Sequence, residues 1–349
     1  MSYNKKKIVL FNPKRRATIK IKDSHSEVVE KINLNYYDLL EVIAKINNCI
    51  IKLAKHKEND QYFCMKILRK VDVLESKTVE HLYNEYKILR KIYHPFIIQL
   101  KGINYTDSRY LYLLLEFVQG GDLALLIGAE KITEEQAKFY CAILITVMDY
   151  LHRQNIIMRN ICPENIFLTS SGYIKITNFT DCKMLKSDYT NTLCGTPEYA
   201  SPEMLVRKGH TKSHDFWTLG IFLYHLIVGH TPFEDMDPVK IQQKILEGKI
   251  NFPKNMSPEA KSLIKHLLKL EPKKRLGFGK NGIIDLILDP FFKGFDWTNL
   301  LLQNVKAPYI PVIKSENDIS NFKKYIDDFF MESDDIIISK NKDPFLKWD

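Results

Sequence analysis

Three short stretches decide the fold: Met158-Arg-Asn-Ile-Cys-Pro-Glu-Asn165, Ile174-Lys-Ile-Thr-Asn-Phe179 and Leu193-Cys-Gly-Thr-Pro-Glu-Tyr-Ala-Ser-Pro-Glu203. On either side of them, apolar residues recur at three- and four-residue spacing over Thr133–Gln154 and Ser213–Val228. This spacing predicts two amphipathic helices. The three stretches therefore lie in the loops and short strands that connect two long helices.

The residues before these stretches predict a small sheet. Leu40–Ile46 and Cys49–Ala54 flank Asn47-Asn48, and Tyr62–Leu68 follows a polar turn. The pattern predicts a meander of three antiparallel strands. The other elements predicted here are helices at Ser26–Ile32 and Ser76–Ile92 and strands at Ile97–Ile103 and Tyr110–Phe117.

Beyond Gln119-Gly-Gly121, which interrupts the sheet pattern, the chain has mainly helical spacing. The elements predicted in addition to the two long helices are helices at Pro238–Glu247 and Ser257–Leu270 and short strands at Ile166–Leu168 and Tyr173–Thr177. We predict an α+β chain in four parts: a basic arm and helix at 1–36, a small sheet-rich lobe at 37–118, a large helical lobe at 119–292 and a tail at 293–349.

The formal charge of +9 is confined to the amino-terminal arm. Eight of the 51 basic residues and none of the 42 acidic residues lie within residues 1–22, so the rest of the chain is electrically balanced. This distribution disfavours specific nucleic-acid binding, which needs a basic face on a folded domain. The arm is interpreted as solvated, or as a weak nuclear or membrane-surface tether.

Neither the cysteines nor the apolar runs indicate metal, disulfide or membrane chemistry. The six cysteines include no Cys-x-x-Cys pair, which suits a reducing compartment. No apolar run is long enough to span a bilayer, and the Lys-rich start lacks the apolar segment of a signal peptide. We therefore predict a cytoplasmic or nuclear protein with no transmembrane segment.

Further residues complete a resemblance to a known family. Lys66 follows Cys64-Met65 on a predicted strand, Glu85 lies on the next helix, and Asp215 and Arg275 follow the last stretch. In this order the residues resemble the protein-kinase signature set, and within it the AGC group and its cAMP-dependent protein kinase family. The resemblance implies a bilobal protein-kinase fold of the α+β class, ATP and Mg²⁺ as cofactors, and phosphoryl transfer to Ser or Thr.

Several positions that carry this chemistry are nevertheless substituted. The Gly-rich phosphate cover reads Ala44-Lys-Ile46-Asn-Asn-Cys49, so it has become a plain hairpin, because close approach to phosphates requires glycine. Asn160 stands where the family has its aspartate base, and an amide has no useful basicity near neutral pH. Cys162 replaces the lysine that would steady the transferred phosphoryl group.

One of the two metal-binding positions is also substituted by an amide. Asn178-Phe179-Thr180 replaces Asp-Phe-Gly, and the Asn178 amide offers Mg²⁺ a dipole without a charge. Asn165 matches the asparagine metal ligand of the family. Lys66 and Glu85 are retained, although this pair can also hold a strand to a helix with no ligand present. The substitutions therefore weigh against both ATP and Mg²⁺.

The resemblance also assigns the nucleotide pocket. Besides Lys66 and Glu85, its positions are Ile43, Ile51, Cys64, Glu116, Phe167 and Phe322. Cys64 and Phe167 add volume where the adenine base would lie. One hypothesis is that Phe167 partly fills this slot and stabilises a closed, empty form. The alternative is that Phe167 belongs to the core.

Other matched residues are structural or regulatory. Glu203, Asp215 and Arg275 correspond to buried anchors of the family. Arg159 corresponds to the arginine that binds an activation-loop phosphate, and Thr192 is the candidate phosphosite, with Thr190 and Ser187 as competitors. In the alternative, Arg159 pairs with Asp188 or with nothing.

The partner surfaces are matched only in part. Asp122 and Glu164 fit the acids that read basic substrates, but His225 replaces one, and Asn191 replaces a regulatory-subunit contact, which weakens any prediction that a cAMP-receptor regulatory subunit binds. A protein or peptide partner remains the prediction. Phe345-Leu-Lys-Trp348 is similar to a carboxyl-terminal motif that docks on the small lobe, with Phe322 and Tyr325 crossing the cleft.

Three functions are compatible with these residues. Loss of a general base lowers a rate by about 10²–10⁴, and loss of a preorganised charged group by about 10²–10³. The first function is therefore an inactive kinase-like protein with a regulatory or scaffolding role. The alternatives are a Ser/Thr kinase with weak or unconventional ATP-dependent transfer and a nucleotide-binding switch without transfer.

Overall fold

The small lobe is built on a six-stranded sheet. The computed structural model describes residues 29–46, 49–185, 187, 189–327, 337–339 and 342–348. The strands are β1 (Glu30–Lys31), β2 (Tyr37–Ile46), β3 (Cys49–His56), β4 (Tyr62–Arg69), β5 (Leu100–Asn104) and β6 (Tyr110–Glu116). Their spatial order is β1-β5-β6-β4-β3-β2. Apart from β1, which is parallel to β5, neighbouring strands are antiparallel.

Alternating side chains bury both faces of this sheet, because successive residues of a strand point to opposite sides. On β4 and β6, Met65, Ile67 and Leu114 belong to one apolar cluster. Their neighbours Cys64 and Leu115 belong to the other, which continues into the large lobe. The predicted meander and the bilobal α+β fold are thus confirmed.

Two helices belong to the small lobe. They are α1 (Lys70–Glu75) and α2 (Val79–Lys91). The predicted helix at Ser76–Ile92 thus begins three residues later, because Ser76 ends α1 with a hydrogen bond from its Oγ to the Asp72 carbonyl oxygen of 2.6 Å. The short helix α1 was not predicted.

The helix predicted at Ser26–Ile32 is wrong over its described part. Glu30 and Lys31 form β1, and the Ile32 N–H donates to the Ile103 carbonyl oxygen at 3.0 Å. A seven-residue helix is marginal by itself, whereas the edge of the sheet offers unpaired backbone groups. Residues 26–28, the basic arm, Asn47-Asn48 and Asp188 lie outside the described residues.

The large lobe is mainly helical. Its helices are α3 (Leu123–Ala129), α4 (Glu134–Arg153), α5 (Pro202–Leu205), α6 (Ser213–Val228), α7 (Pro238–Glu247), α8 (Pro258–Leu267), α9 (Ile283–Ile287) and α10 (Trp297–Leu301). Its strands are β7 (Ile156–Ile157), β8 (Ile166–Leu168), β9 (Ile174–Ile176) and β10 (Lys183–Met184), paired antiparallel as β7 with β10 and β8 with β9. Single 3-10 turns lie at Leu34–Tyr36, Pro163–Asn165, Pro197–Tyr199, Pro272–Lys274, Pro290–Phe292 and Pro344–Lys347.

The four predicted helices of this lobe are confirmed with small changes of boundary. Thr133 caps α4 and forms a capping box with Gln136, which explains why that helix begins at Glu134. Helix α8 ends at Leu267 instead of Leu270. Among the described residues, no helix combines the length and apolar character that a bilayer crossing requires.

The two lobes meet through backbone and ionic contacts. The Ile98 N–H donates to the Ile176 carbonyl oxygen at 2.9 Å, and Ile97, predicted in strand β5, forms only an isolated bridge with Ile176. Lys175 Nζ on β9 lies 2.6 Å from Glu116 Oε1 and 2.7 Å from Oε2. This pair joins the end of β6 to the large lobe.

The tail returns to the small lobe, as the Phe345-Leu-Lys-Trp348 motif predicts. Phe345 and Trp348 are buried, and the Trp348 ring lies 5.2 Å from that of Tyr83 and 5.6 Å from that of Tyr86 on α2. Asp343 Oδ2 accepts a hydrogen bond of 2.6 Å from Lys70 Nζ, which is fully buried. The tail thereby packs against the face of α2 that carries Tyr83 and Tyr86.

Truncation of Trp348 tests this packing. We expect Trp348→Ala to lower the free energy of unfolding by about 3–5 kcal/mol, the range for a buried aromatic residue. Urea denaturation measures the change, and Ile337→Ala, an exposed tail residue, is the control. Equal stabilities of the two variants would contradict the docked tail.

A buried histidine at the lobe junction gives the stability a pH dependence. His94 accepts from the Phe96 N–H at 3.2 Å through Nδ1, and burial, with a smaller effect of Lys175, lowers its pKa from 6.5 to about 3. The unfolded chain binds this proton first, so the stabilisation is complete above pH 6.5 and is lost as the pH falls from there toward 3.

We expect His94→Asn, which keeps an acceptor for the Phe96 N–H but does not titrate, to flatten this dependence. The slope of the unfolding free energy between about pH 6.5 and 5 should decrease by up to about 1.4 kcal/mol per pH unit. The exposed His266→Asn variant is the control. Parallel slopes for wild type and His94→Asn would exclude the proposed linkage.

Candidate functional site

A cavity of about 710 Å³ lies between the lobes. The structure brings seven of the eight predicted nucleotide positions to its wall: Ile43, Ile51, Cys64, Lys66, Glu116, Phe167 and Phe322. Strands β2, β3 and β4 supply its roof, and β8 and the tail supply its floor. The eighth position, Glu85, lies behind Lys66 on α2.

Lys66 is held by a buried ion pair. Its Nζ lies 2.8 Å from both Glu85 carboxylate oxygens. Burial acts to lower the pKa of Lys66, but the Glu85 carboxylate outweighs it, and the pKa is raised. Thr180 Oγ1 joins the pair, accepting from Lys66 at 3.5 Å and donating to Glu85 at 3.0 Å. The ammonium group therefore has three protein oxygens within 3.5 Å.

The side chains at the two predicted metal positions are hydrogen-bonded to each other. Asn178 Nδ2 donates to Asn165 Oδ1 at 3.1 Å, and Asn178 Oδ1 accepts from the Thr180 N–H at 3.0 Å. Asn165 Nδ2 donates to Cys162 Sγ at 3.0 Å. Burial keeps the pKa of the Cys162 thiol well above its usual range, so this sulfur is a neutral acceptor. The two predicted metal positions are therefore joined with Cys162 in one network of hydrogen-bonded neutral groups.

Mg²⁺ does not fit these residues. It requires an octahedral set of hard, preferably anionic oxygens, and both amide oxygens already accept hydrogen bonds from protein N–H groups. Within the described part of the chain, no three His, Cys, Asp or Glu side chains come together to hold a metal ion. The residues thus disagree with the cofactor that the resemblance implies.

A carboxylate that sequence reasoning missed lies beside the base position. Asn160 Nδ2 donates to Asp181 Oδ2 at 2.8 Å, and Asn160 Oδ1 accepts from Thr196 Oγ1 at 3.2 Å. Asp181 directly follows the Asn178-Phe179-Thr180 triplet, so an acid at that position was the available signal. The side chain at the predicted base position, Asn160, therefore has a carboxylate within hydrogen-bonding distance.

The loop that carries these side chains is anchored by Asp215 at the start of α6. Its carboxylate accepts from the N–H groups of Met158 and Arg159, each at 2.9 Å, and lies 2.7 Å from His152 Nε2. Burial acts to raise the pKa of Asp215, but His152 and these hydrogen bonds keep it below its usual value. Arg159 adopts a φ of +67° in this turn.

A second anchor holds the segment after the activation loop. Arg275 Nη1 and Nη2 each donate to a Glu203 carboxylate oxygen at 2.6 Å. Burial opposes ionisation, yet the bidentate pair keeps the pKa of Glu203 low. The three predicted structural residues are therefore placed as two buried polar anchors.

Phe167 narrows the cavity without closing it. Its ring lies 5.9 Å from that of Phe322, which in turn lies 5.8 Å from that of Phe117. The cavity remains open beside these rings, and the hypothesis that Phe167 partly fills the adenine slot stays a prediction. Burial raises the pKa of the Cys64 thiol to about 12, which leaves an uncharged, soft wall opposite Phe167.

Not all of the residues that were predicted to contact a substrate lie at the cavity. Asp122 caps α3 through the Leu125 N–H at 2.8 Å, and it lines the cavity with Glu164. Burial raises the pKa of Asp122. His225 lies apart from the cavity wall, with its Nδ1 2.8 Å from the Tyr199 hydroxyl. Asn191 is exposed on the activation segment.

Comparison with known proteins agrees with this architecture. A family model described as "Protein kinase domain" matches residues 37–291. The chain is 39% identical over 298 residues to cAMP-dependent protein kinase catalytic subunit 3 of Drosophila melanogaster, covering 85% of this chain and 51% of the relative. It is 40% identical over 283 residues to the cAMP-dependent protein kinase catalytic subunit of Dictyostelium discoideum, covering 81% of this chain and 43% of the relative.

A relative of more similar length is the cAMP-dependent protein kinase catalytic subunit PRKX of Homo sapiens. It is 38% identical over 294 residues, covering 84% of this chain and 82% of the relative. The chain spans about half the length of the Drosophila relative and somewhat less of the Dictyostelium one. With the family match and these identities, the chain belongs to the protein kinase family and is of the AGC, cAMP-dependent protein kinase-like type.

Proposed function

We propose that this chain is a pseudokinase, a protein kinase family member that acts as a regulatory or scaffolding module without ordinary Mg²⁺-dependent phosphoryl transfer. The observation that carries the proposal is the hydrogen bond of 3.1 Å between Asn178 Nδ2 and Asn165 Oδ1. It joins the two positions that would have to bind the metal. The pair offers a metal ion no anionic oxygen, and each amide oxygen already accepts a hydrogen bond from the protein.

The retained anchors support a binding role. Asp215 and the Arg275–Glu203 pair maintain the loop geometry, and the Lys66–Glu85 pair keeps α2 against the sheet. A protein or peptide partner would meet a preorganised surface. All six cysteines are unpaired thiols, which suits a reducing compartment, and we propose the cytoplasm as the location.

One observation favours slow kinase activity as a second candidate. Asp181 Oδ2 lies 2.8 Å from Asn160 Nδ2, so a carboxylate is within reach of the place where an acceptor hydroxyl would lose its proton. This reading requires phosphate binding by Lys66 without a metal at Asn178. Lys66 would first have to exchange one of its partners in the Glu85–Thr180 network.

An assay of γ-phosphate incorporation separates the two candidates. Loss of the base and of the metal carboxylate should reduce a rate of about 1–100 s⁻¹ by about 10⁴–10⁷ if the losses were independent. We therefore expect incorporation by the full chain, with ATP and Mg²⁺, no greater than that by its Lys66→Met variant.

An active protein kinase assayed in parallel is the positive control. Incorporation that disappears in Lys66→Met and in Asp181→Asn, but persists in the half-buried control variant Asp149→Asn, would replace the pseudokinase proposal by the slow kinase. A rise of the melting temperature with ATP in the absence of incorporation would favour the nucleotide-binding switch.

We also propose Thr192 as the phosphorylated residue of the activation segment. Lys183 Nζ lies 2.9 Å from Thr190 Oγ1 and 3.2 Å from Thr192 Oγ1, but Thr190 is buried and its backbone is paired with His210, whereas Thr192 is half-buried. Arg159 Nη1 is buried without a hydrogen-bond partner. Burial raises the pKa of the nearby Cys194 thiol to about 11, while Arg159 and Lys183 both act to lower it.

Phosphothreonine incorporated at residue 192 should raise the melting temperature by about 2–4 °C, since it adds charge-assisted hydrogen bonds. The gain should be lost in Lys183→Met, which removes one cation. Phosphothreonine at residue 190 is the comparison and should lower the melting temperature, because that side chain is buried. The reverse order of the two sites would refute the assignment.

A further inference from the structure

Several polar side chains around the cleft cavity have partners within the protein. Lys66 is bonded to Glu85 and Thr180, and the Asn178 amide is bonded at both its nitrogen and its oxygen. Thr177 Oγ1 donates to the Asn165 carbonyl oxygen at 3.1 Å. The side chains of Lys66, Asn178 and Thr177 are therefore already engaged with groups of the protein.

The same holds at the end of the cavity next to α1 and α2. Ser76 Oγ donates to the Asp72 carbonyl oxygen at 2.6 Å and lies 2.9 Å from Thr78 Oγ1. Over the described residues, the buried side-chain nitrogen and oxygen atoms without a hydrogen-bond partner are those of Tyr140, Arg159, His210 and Trp217. These four atoms are enclosed by the protein and do not face the cavity.

The charges at the wall are balanced. Glu116 is bonded to Lys175, and the remaining charged wall residues are two lysines and two acids that all reach solvent: Lys45, Lys323, Asp122 and Glu164. A triphosphate with Mg²⁺ would lose its hydration without gaining matched charges here, and such desolvation is costly. The wall favours a ligand that carries no charge.

The apolar part of the wall is continuous. Cys64, Phe167 and Phe322 enclose the inner end, and Leu68, Val73 and Leu82 line the end beneath α1 and α2. Pockets of several hundred cubic ångströms lined in this way bind small molecules mainly by burial of apolar surface. The aromatic pair at the inner end suits a flat ring, because offset or tilted aromatic contacts add to burial.

We propose that this cavity binds an uncharged, predominantly apolar small molecule with a flat ring, in place of a nucleotide and Mg²⁺. The inference rests on the proposed function, since it takes the metal site to be lost. It goes beyond that proposal because it assigns the site a ligand class of its own. The ring would lie between Cys64 and the Phe167–Phe322 pair.

The probe for this class is N-phenyl-1-naphthylamine, which is neutral and becomes fluorescent in apolar surroundings. We expect one molecule to bind each chain with a dissociation constant in the micromolar range. Millimolar ATP, with or without Mg²⁺, should not displace it. The full chain is used throughout.

Two variants locate the bound probe. Phe322→Ala removes a half-buried tail side chain that forms one wall of the cavity. Cys64→Phe fills the inner end of the cavity. Each substitution should weaken binding of the probe about tenfold or more. Ile326→Ala changes a neighbouring tail residue that is exposed and does not line the cavity, and it should leave binding unchanged. Melting temperatures show whether each variant is folded, and Phe322→Ala suffices if Cys64→Phe is not.

The outcomes distinguish this inference from the proposed function. Absence of binding, binding that Phe322→Ala leaves intact, or displacement by ATP would overturn the apolar-ligand site. Displacement by ATP without γ-phosphate incorporation would overturn it while the chain remained inactive. Incorporation of γ-phosphate together with unperturbed probe binding would instead overturn the pseudokinase proposal alone.

Discussion

The buried carboxylate of Asp215 is the contact on which the site depends. It accepts two backbone hydrogen bonds, from Met158 and Arg159, and lies 2.7 Å from His152 Nε2. Removing one partner of such a buried charge is costly, because the charge is left uncompensated. The turn that it holds, with Arg159 at a φ of +67°, sets the direction of Asn160 and of the residues that follow.

Because this support does not involve the reacting groups, the loop keeps its shape while its chemistry changes. Asn160 and Asn178 replace charged side chains by amides, and each amide finds protein partners: Asp181 and Thr196 for the first, Asn165 and Thr180 for the second. An unpaired buried amide would be destabilising. The hydrogen bonds of both amides are thus satisfied within the protein.

Local pattern predicted the long elements well, since each buries one continuous face. Helix α6 and helix α7 have the predicted boundaries, because Gly229 and Gly248 end them in left-handed conformations that glycine adopts readily. Strand β1 escaped prediction because two residues carry no period, and its stability comes from pairing with β5. The resemblance to protein kinases supplied the site positions, which composition and spacing alone could not.

The sequence by itself determined the family and the order of the elements, since these follow from residue identity and local periodicity. Only the tertiary structure decided how the substituted groups are satisfied. Thr180 joins the Lys66–Glu85 pair, Asp181 lies beside Asn160, and the cavity stays open next to Phe167. These contacts join residues on different elements, and their geometry depends on how the two lobes pack around Asp215 and the cleft.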